Sequence, residues 1–128
     1  MNPADHAYIA EHSKRGQFEM AMGLPDRYEA VDCYLVGAIA VHRDKATREW
    51  NLSHAATGMG LPSIFGATLV EAIRVARSID AAIDWSTVKR GKVIGAPTGL
   101  TNTKKSAIQS MALSFRHIAK RRAGPVSA

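Results

Sequence analysis

Two adjacent lysines near the C-terminus, Lys104 and Lys105, lie at a position where the chain is expected to bind an anion. They lie between the hydroxyl residues Thr103 and Ser106, at the position where a helix is predicted to begin. The free backbone amides of a helix N-terminus bind anions, whereas the helix dipole disfavours cations there. Because the chain nevertheless places two ammonium groups at this position, the pattern indicates a site for a phosphate group.

The whole C-terminal third shares this positive charge. Residues 85–128 contain nine basic and no acidic side chains, whereas residues 1–84 contain eight basic and eleven acidic ones. Such segregation is typical of a protein that meets an anionic partner with one end. The predicted nucleic-acid-binding residues are the basic and hydroxyl side chains of this third: Lys89, Arg90, Lys92, Thr103, Lys104, Lys105, Ser106, Arg116, Lys120, Arg121 and Arg122.

The candidates for a catalytic or metal site are the single cysteine, Cys33, and five histidines. His42 and His54 are placed to face each other across a predicted hairpin, and Cys33 lies on the same predicted strand as His42. A metal site needs a third or fourth ligand at a fixed spacing, and the sequence shows none. Cys33 also lies in an apolar run, which raises the pKa of a thiol and disfavours a nucleophile. The sequence therefore predicts a non-enzymatic protein with no catalytic residue, no metal and no cofactor.

The composition is that of a globular domain with one core. The chain has 128 residues, of which 46% are hydrophobic and 22% charged, so residues 1–128 are predicted to form a single compact domain. The single cysteine excludes an internal disulfide and indicates a reducing compartment. The longest apolar run, residues 33–41, is shorter than the about 18 residues that a membrane span needs, and residues 1–8 lack the apolar core of a signal peptide. We therefore expect a cytoplasmic protein with no membrane partner, and the sequence leaves its oligomeric state open, a dimer included.

The secondary structure that must position these residues is predicted to form an α+β fold. In this fold, a small antiparallel sheet of three to five short strands packs against two or three helices. Residues 1–25 are expected to form a helical N-terminal segment, in which a helix runs to about Lys14 or Arg15, because Asn2 suits a helix cap and Pro3 the first helical position. Residues 26–36 fit either a helix or a strand, and we favour a strand over residues 33–43. Further strands are predicted at residues 49–54 and 61–65.

Two helices follow these strands. Thr68 and Glu71 have the spacing of a capping box, and the apolar stripe after them predicts a helix over residues 69–82 that packs on the sheet. Residues 85–99 are predicted to form a hairpin. A final helix is expected to begin near residue 101, to carry the basic residues on its last turn, and to end before Gly124-Pro125.

Three stretches resemble known families in outline. Residues 99–106 resemble a phosphate-binding P-loop in spacing, with Lys104 where that family has its second glycine. Residues 103–113 are similar to the second helix of double-stranded-RNA-binding domains, which hold phosphates with paired lysines. Residues 38–80 are similar in outline to the three-strand-plus-helix DNA-binding domains of phage integrases and plant ethylene-response factors, and this resemblance implies a sheet in the major groove.

These observations predict a small nucleic-acid-binding protein, of the kind that phages, plasmids and other mobile elements carry. Residues 85–128 would grip the phosphate backbone, and DNA is favoured over RNA as the partner. Trp50 and Trp85 are candidates for base stacking, although tryptophan is more often a core residue. The alternative is a protein-interaction module or inhibitor, of phage or plasmid type, that docks on an acidic partner protein.

Overall fold

The computed structural model describes residues 1–23, 27–62 and 66–123, without the side chains of residues 112 and 115–123. In this part of the chain, one four-stranded antiparallel sheet and three helices form a small α+β fold, as the sequence predicts. The strands follow one another across the sheet in chain order. Along the chain, the elements are α1 (Pro3–His12), β1 (Lys14–Met22), β2 (Arg27–Val36), β3 (Ile39–Arg43), β4 (Trp50–His54), α2 (Leu69–Ala82) and α3 (Asn102–Ala123).

The N-terminal helix is shorter than predicted. α1 begins as expected, with the Asn2 side chain accepting a hydrogen bond from the Asp5 amide at 2.8 Å, but it ends at His12. The prediction that residues 1–25 form a helical segment is wrong beyond this point, because residues 14–22 form β1. Every residue of β1 pairs with a residue of β2. This ladder of hydrogen bonds decides the conformation, since local propensity is a weak influence against tertiary pairing.

The apolar run that we predicted as one strand over residues 33–43 is two strands joined by a tight turn. Gly37 stands between β2 and β3 with a φ of +58°. A Cβ at this position would collide with the carboxylate of Asp80, which accepts a hydrogen bond from the Ala38 amide at 2.9 Å. Glycine is therefore required both by the left-handed backbone and by the close approach of α2.

Of the other predicted strands, one is formed. In the described residues, isolated bridges are found at or beside the positions of the rest. The strand predicted at residues 49–54 is confirmed as β4. At the strand predicted over residues 61–65, Gly60 forms an isolated bridge with Ser53, and residues 63–65 lie outside the described part of the chain. The hairpin predicted over residues 85–99 is a loop closed by one isolated bridge between Lys89 and Thr98.

The predicted helix α2 is confirmed, and it is the central packing element. Its capping box is formed, with the Thr68 amide donating to Glu71 at 2.8 Å and the Glu71 amide donating to Thr68 at 3.1 Å. Its apolar side packs on the sheet, and α1 and α3 both contact it. None of the helices in the described part of the chain has the length and apolar character to cross a bilayer. The residues that α2 buries are Leu69, Ala72, Ile73, Val75, Ala76 and Ile79.

The opposite face of the sheet has a smaller core, in which Phe18, Cys33 and Ala40 are buried together. On β1, the Ala21 amide donates a hydrogen bond to the Gly58 carbonyl at 3.0 Å. The first strand of the sheet therefore contacts the loop that follows the last strand.

Candidate nucleic-acid interface

Arg90, a predicted phosphate-binding residue, makes contacts within the protein. Its Nη2 donates to Glu19 Oε1 at 3.1 Å, and its Nε donates to the Ala56 carbonyl at 3.2 Å. Its guanidinium group also lies 3.8 Å from the centroid of the Tyr28 ring. Arg90 thus fixes the loop of residues 85–99 to the sheet through two of its five N–H groups.

Lys104 is also engaged internally. Its Nζ donates to the Asp84 carbonyl at 2.6 Å and to Thr87 Oγ1 at 2.9 Å. The Lys104 amide donates to Thr101 Oγ1 at 3.2 Å, so Thr101 caps α3 close to the predicted start. The ammonium group that a P-loop-like spacing would direct toward a phosphate therefore binds oxygens of the protein itself.

The remaining predicted residues fall into two groups. Arg116, Lys120, Arg121 and Arg122 belong to α3, and their side chains lie outside the described residues. The prediction of an anion site at the start of α3 now depends on Lys105 and on the hydroxyl residues beside it. Besides Arg90, the predicted residues that are exposed in the described part of the chain are Lys89, Lys92, Thr103, Lys105 and Ser106.

The sheet separates the histidines that were expected to face each other. Its register places His54 opposite Ile39 and His42 opposite Asn51, so the two rings point to opposite faces. His54 Nδ1 lies 2.8 Å from Thr57 Oγ1, and the His54 ring stacks on Trp85 at a centroid distance of 4.5 Å. Trp85 is consequently a core residue, buried in the contact with His54, rather than a base-stacking one.

The environments of Cys33 and the two histidines oppose reactivity. Burial, with a smaller contribution from the charge of Asp32, raises the pKa of the Cys33 thiol. Burial also lowers the pKa of His42 and of His54, so both imidazoles are neutral near pH 7. Within residues 1–23, 27–62 and 66–123, no group of three or more His, Cys, Asp and Glu side chains is arranged to hold a metal ion.

An arginine–aromatic surface on the sheet lies outside the predicted basic third, and Trp50 is its one member that the sequence analysis names as a candidate for base stacking. The rings of Tyr34 and Trp50 meet edge to face, with centroids 6.1 Å apart. The guanidinium of Arg15 lies 5.0 Å from the Tyr34 centroid, and that of Arg43 lies 4.6 Å from the Trp50 centroid. We call these four side chains the arginine–aromatic platform.

The register of the sheet assembles this platform. Arg15 of β1 is paired with Tyr34 of β2, and Arg43 of β3 is paired with Trp50 of β4. Tyr34 is also paired with Val41, two residues before Arg43 on the same face of β3. Side chains that are directly paired in antiparallel strands share a face, so three hairpins bring the four residues together.

The platform is open and positively charged. Both arginines are exposed, both rings are partly exposed, and they line a shallow pocket of 230 Å³ together with Asp32. Asp32 accepts a hydrogen bond from Gln17 Nε2 at 2.8 Å. Neither platform arginine forms an ion pair with a carboxylate of the described residues. Each guanidinium also donates one hydrogen bond within the protein, Arg15 Nη1 to Tyr34 Oη at 3.4 Å and Arg43 Nη1 to the Arg48 carbonyl at 3.3 Å, and keeps its other N–H groups for a ligand.

The sequence contains only part of the signal for this platform. The alternation of residues 49–54 places Trp50 on one face with Leu52, as observed. Arg15, however, was assigned to the end of a helix, and no local pattern shows that it faces Tyr34. Only the pairing of β1 with β2 reveals this contact.

Comparison with protein-family models, with curated proteins and with solved structures found no match. The function is therefore inferred from the platform and from the exposed cations.

Proposed function

We propose that this protein binds single-stranded nucleic acid on the arginine–aromatic platform. The observation that supports this most directly is the pair of neighbouring rings, Tyr34 and Trp50, each covered by an arginine. Unpaired bases stack on aromatic rings and on guanidinium planes, and each stacked base contributes about 1–3 kcal/mol. A duplex hides the faces of its bases, so a stacking surface of this kind suits a single strand.

The exposed lysines of the basic third complete the proposal. Lys89, Lys92 and Lys105 are exposed, and we assign them contacts with the phosphate backbone. Such contacts release counterions and make the affinity depend strongly on salt. Arg90 and Lys104 are omitted from this role because their donors already bind oxygens of the protein.

The test is the binding of a labelled single-stranded DNA of about 12 nucleotides, followed by fluorescence anisotropy over a series of salt concentrations. Trp50→Ala should weaken binding by about 1–3 kcal/mol, because it removes one stacking surface. Arg43→Gln should reduce the slope of affinity against salt by about one phosphate contact. Trp85→Phe and Arg27→Gln are the matched controls, since Trp85 is buried and Arg27 lies outside the platform. An RNA of the same sequence is used as a competitor, and its effect shows which of the two nucleic acids binds with the higher affinity.

A second competitor distinguishes single-stranded nucleic acid from the alternative partner, an acidic protein. Tryptophan, tyrosine and arginine are also the residues that dominate protein–protein interfaces. Polyglutamate carries negative charge without bases, so it should compete poorly if stacking matters. If polyglutamate competes as well as DNA and Trp50→Ala has no effect, the stacking proposal is wrong and the acidic-partner hypothesis is preferred.

A further inference from the structure

A second surface lies between α1 and α2, in an open groove of 790 Å³. Arg74 and Arg77 of α2 line it together with Tyr8 of α1. The two guanidinium groups lie 5.1 and 6.0 Å from the centroid of the Tyr8 ring, and Arg77 Nη1 donates to Tyr8 Oη at 3.2 Å. One tyrosine therefore positions two arginines side by side in the groove.

The carboxylates closest in sequence to these arginines have other partners. Asp80, three residues after Arg77, also lines the groove, and its carboxylate accepts a hydrogen bond from the Ala38 amide. Glu71, three residues before Arg74, closes the capping box of α2. Residues three apart on a helix commonly form ion pairs. The ion pairs found among the described residues join other side chains: Glu11 with His12, Glu29 with Lys45, and Glu19 with Arg90.

The other polar side chains of the groove do not neutralise the arginines by contact. Glu11 lies 3.8 Å from His12 Nε2, with its side chain 75% exposed. The His12 ring packs on Tyr8 at a centroid distance of 4.4 Å. Ser78 Oγ donates to the Arg74 carbonyl at 3.2 Å. The two guanidinium groups are thus held in place by a ring and a hydroxyl group, and their charge faces the groove.

We infer that this groove binds a phosphate group through Arg74 and Arg77. The planar guanidinium group matches the oxygens of a phosphate and donates two parallel hydrogen bonds to them. Two such groups side by side repel each other when the groove is empty, and an anion between them removes that repulsion. Because Tyr8 already restrains both side chains, less conformational entropy is lost on binding.

The phosphate has two chemical sources. One is a small phosphate compound, and the other is the backbone of the strand that the platform binds, which rests on the proposed function. The second source is within reach, because Val36 lines the groove and Tyr34 lies on the same face of β2 two residues away. That spacing is about 7 Å along a strand.

The direct test is a calorimetric titration with inorganic pyrophosphate. Arg74→Gln and Arg77→Gln should each weaken binding about tenfold, because each removes charge-assisted hydrogen bonds. Arg27→Gln makes the same change of charge outside the groove and should leave the affinity unchanged. Tyr8→Phe keeps the ring and removes the hydroxyl group, so it should weaken binding only a few fold. Unaltered binding in both arginine variants, or an equal loss in the control, overturns the inference.

Competition between pyrophosphate and single-stranded DNA separates the two sources. If DNA displaces pyrophosphate and Arg74→Gln weakens both ligands, the groove binds a phosphate of the strand. If Arg74→Gln weakens pyrophosphate alone, the groove binds a small phosphate compound. Trp50→Ala should leave pyrophosphate binding unchanged, so failure of the platform and failure of the groove give different results. Thermal unfolding of each variant verifies that it is folded.

Discussion

The acid-rich residues 1–84 and the basic residues 85–123 use their cations in different ways. In the first region, four arginines lie against aromatic rings and form no ion pair with the described carboxylates. In the second, Arg90 and Lys104 donate hydrogen bonds to oxygens of the protein and hold loops in place. Arg15, Arg43 and Arg77 each donate one hydrogen bond to an oxygen of the protein and keep their other N–H groups for a ligand, whereas Arg90 and Lys104 each donate two. The number of cations in a segment therefore does not show which of them can bind an anion.

The largest effect that we expect is a loss of stability on acidification, and it belongs to the first region. His42 and His54 are buried there, and burial lowers the pKa of both below the ordinary value of about 6.5. At pH values between the folded and the unfolded pKa, the unfolded chain binds more protons than the folded one. The free energy of unfolding therefore has its full value above about pH 6.5 and decreases as the pH falls below it. Urea unfolding at a series of pH values measures this decrease.

A variant of an exposed histidine is the control for these two buried rings. His6 is exposed, so His6→Gln should leave the pH dependence as it is in the unaltered protein. The hydrogen bonds that lower the pKa of Asp44 and Asp84 act in a separate window, since those carboxylates take up protons only below about pH 4. A free energy of unfolding that stays constant from pH 7 down to about pH 5 would contradict the prediction.

The next effect compares two neighbouring lysines of the basic region. Lys104→Met should lower the free energy of unfolding by about 1–2 kcal/mol, because it removes two hydrogen bonds made by a charged donor. Lys105→Met should change it by less than about 0.5 kcal/mol, because Lys105 is exposed. Chemical unfolding of both variants measures the difference. Equal losses would mean that Lys104 is as available to a ligand as Lys105, and the contrast between the two regions would disappear.

The smallest effect concerns the fixation of the loop by Arg90. Arg90→Lys keeps the charge but loses the contact of the guanidinium with Tyr28 and its two directed hydrogen bonds. We expect a loss of about 0.5–1 kcal/mol, since Arg90 and Glu19 are both partly exposed to solvent. Lys89→Arg, one position earlier, is the control and should be neutral. Thermal unfolding of the two variants is the measurement, and a destabilised control would show that the loop tolerates no change at all.

The parts of the fold that were predicted correctly have local signals. The capping box of Thr68 and Glu71 defines the start of α2, and the alternation of residues 49–54 defines β4. β1 was missed because its sequence has no clear period, and only pairing with β2 makes it a strand. The turn at Gly37 was missed because the apolar run continues through it, while the requirement for glycine comes from Asp80, far along the chain.

The candidate site was harder to predict for the same reason. Charge density drew attention to residues 85–128, although two of the cations there have internal partners. The platform needs Arg15 beside Tyr34, and the groove needs Arg77 beside Tyr8, a contact between residues 69 positions apart. Such proximity follows from sheet register and helix packing, which a single sequence does not display.

The contacts of β1 with later parts of the chain have a consequence for the synthesis of the protein. The Ala21 amide of β1 donates a hydrogen bond to the Gly58 carbonyl, and Glu19 of the same strand accepts one from Arg90, 71 residues later. During synthesis, the hairpin of β1 and β2 emerges 22 residues before Gly58 and 54 residues before Arg90, so the unpaired hydrogen-bonding groups of β1 face the solvent during this interval. An uncovered strand edge can recruit strands of other chains. The exposed charges of Lys14 and Arg15 at the start of β1 hinder that recruitment until the later residues arrive.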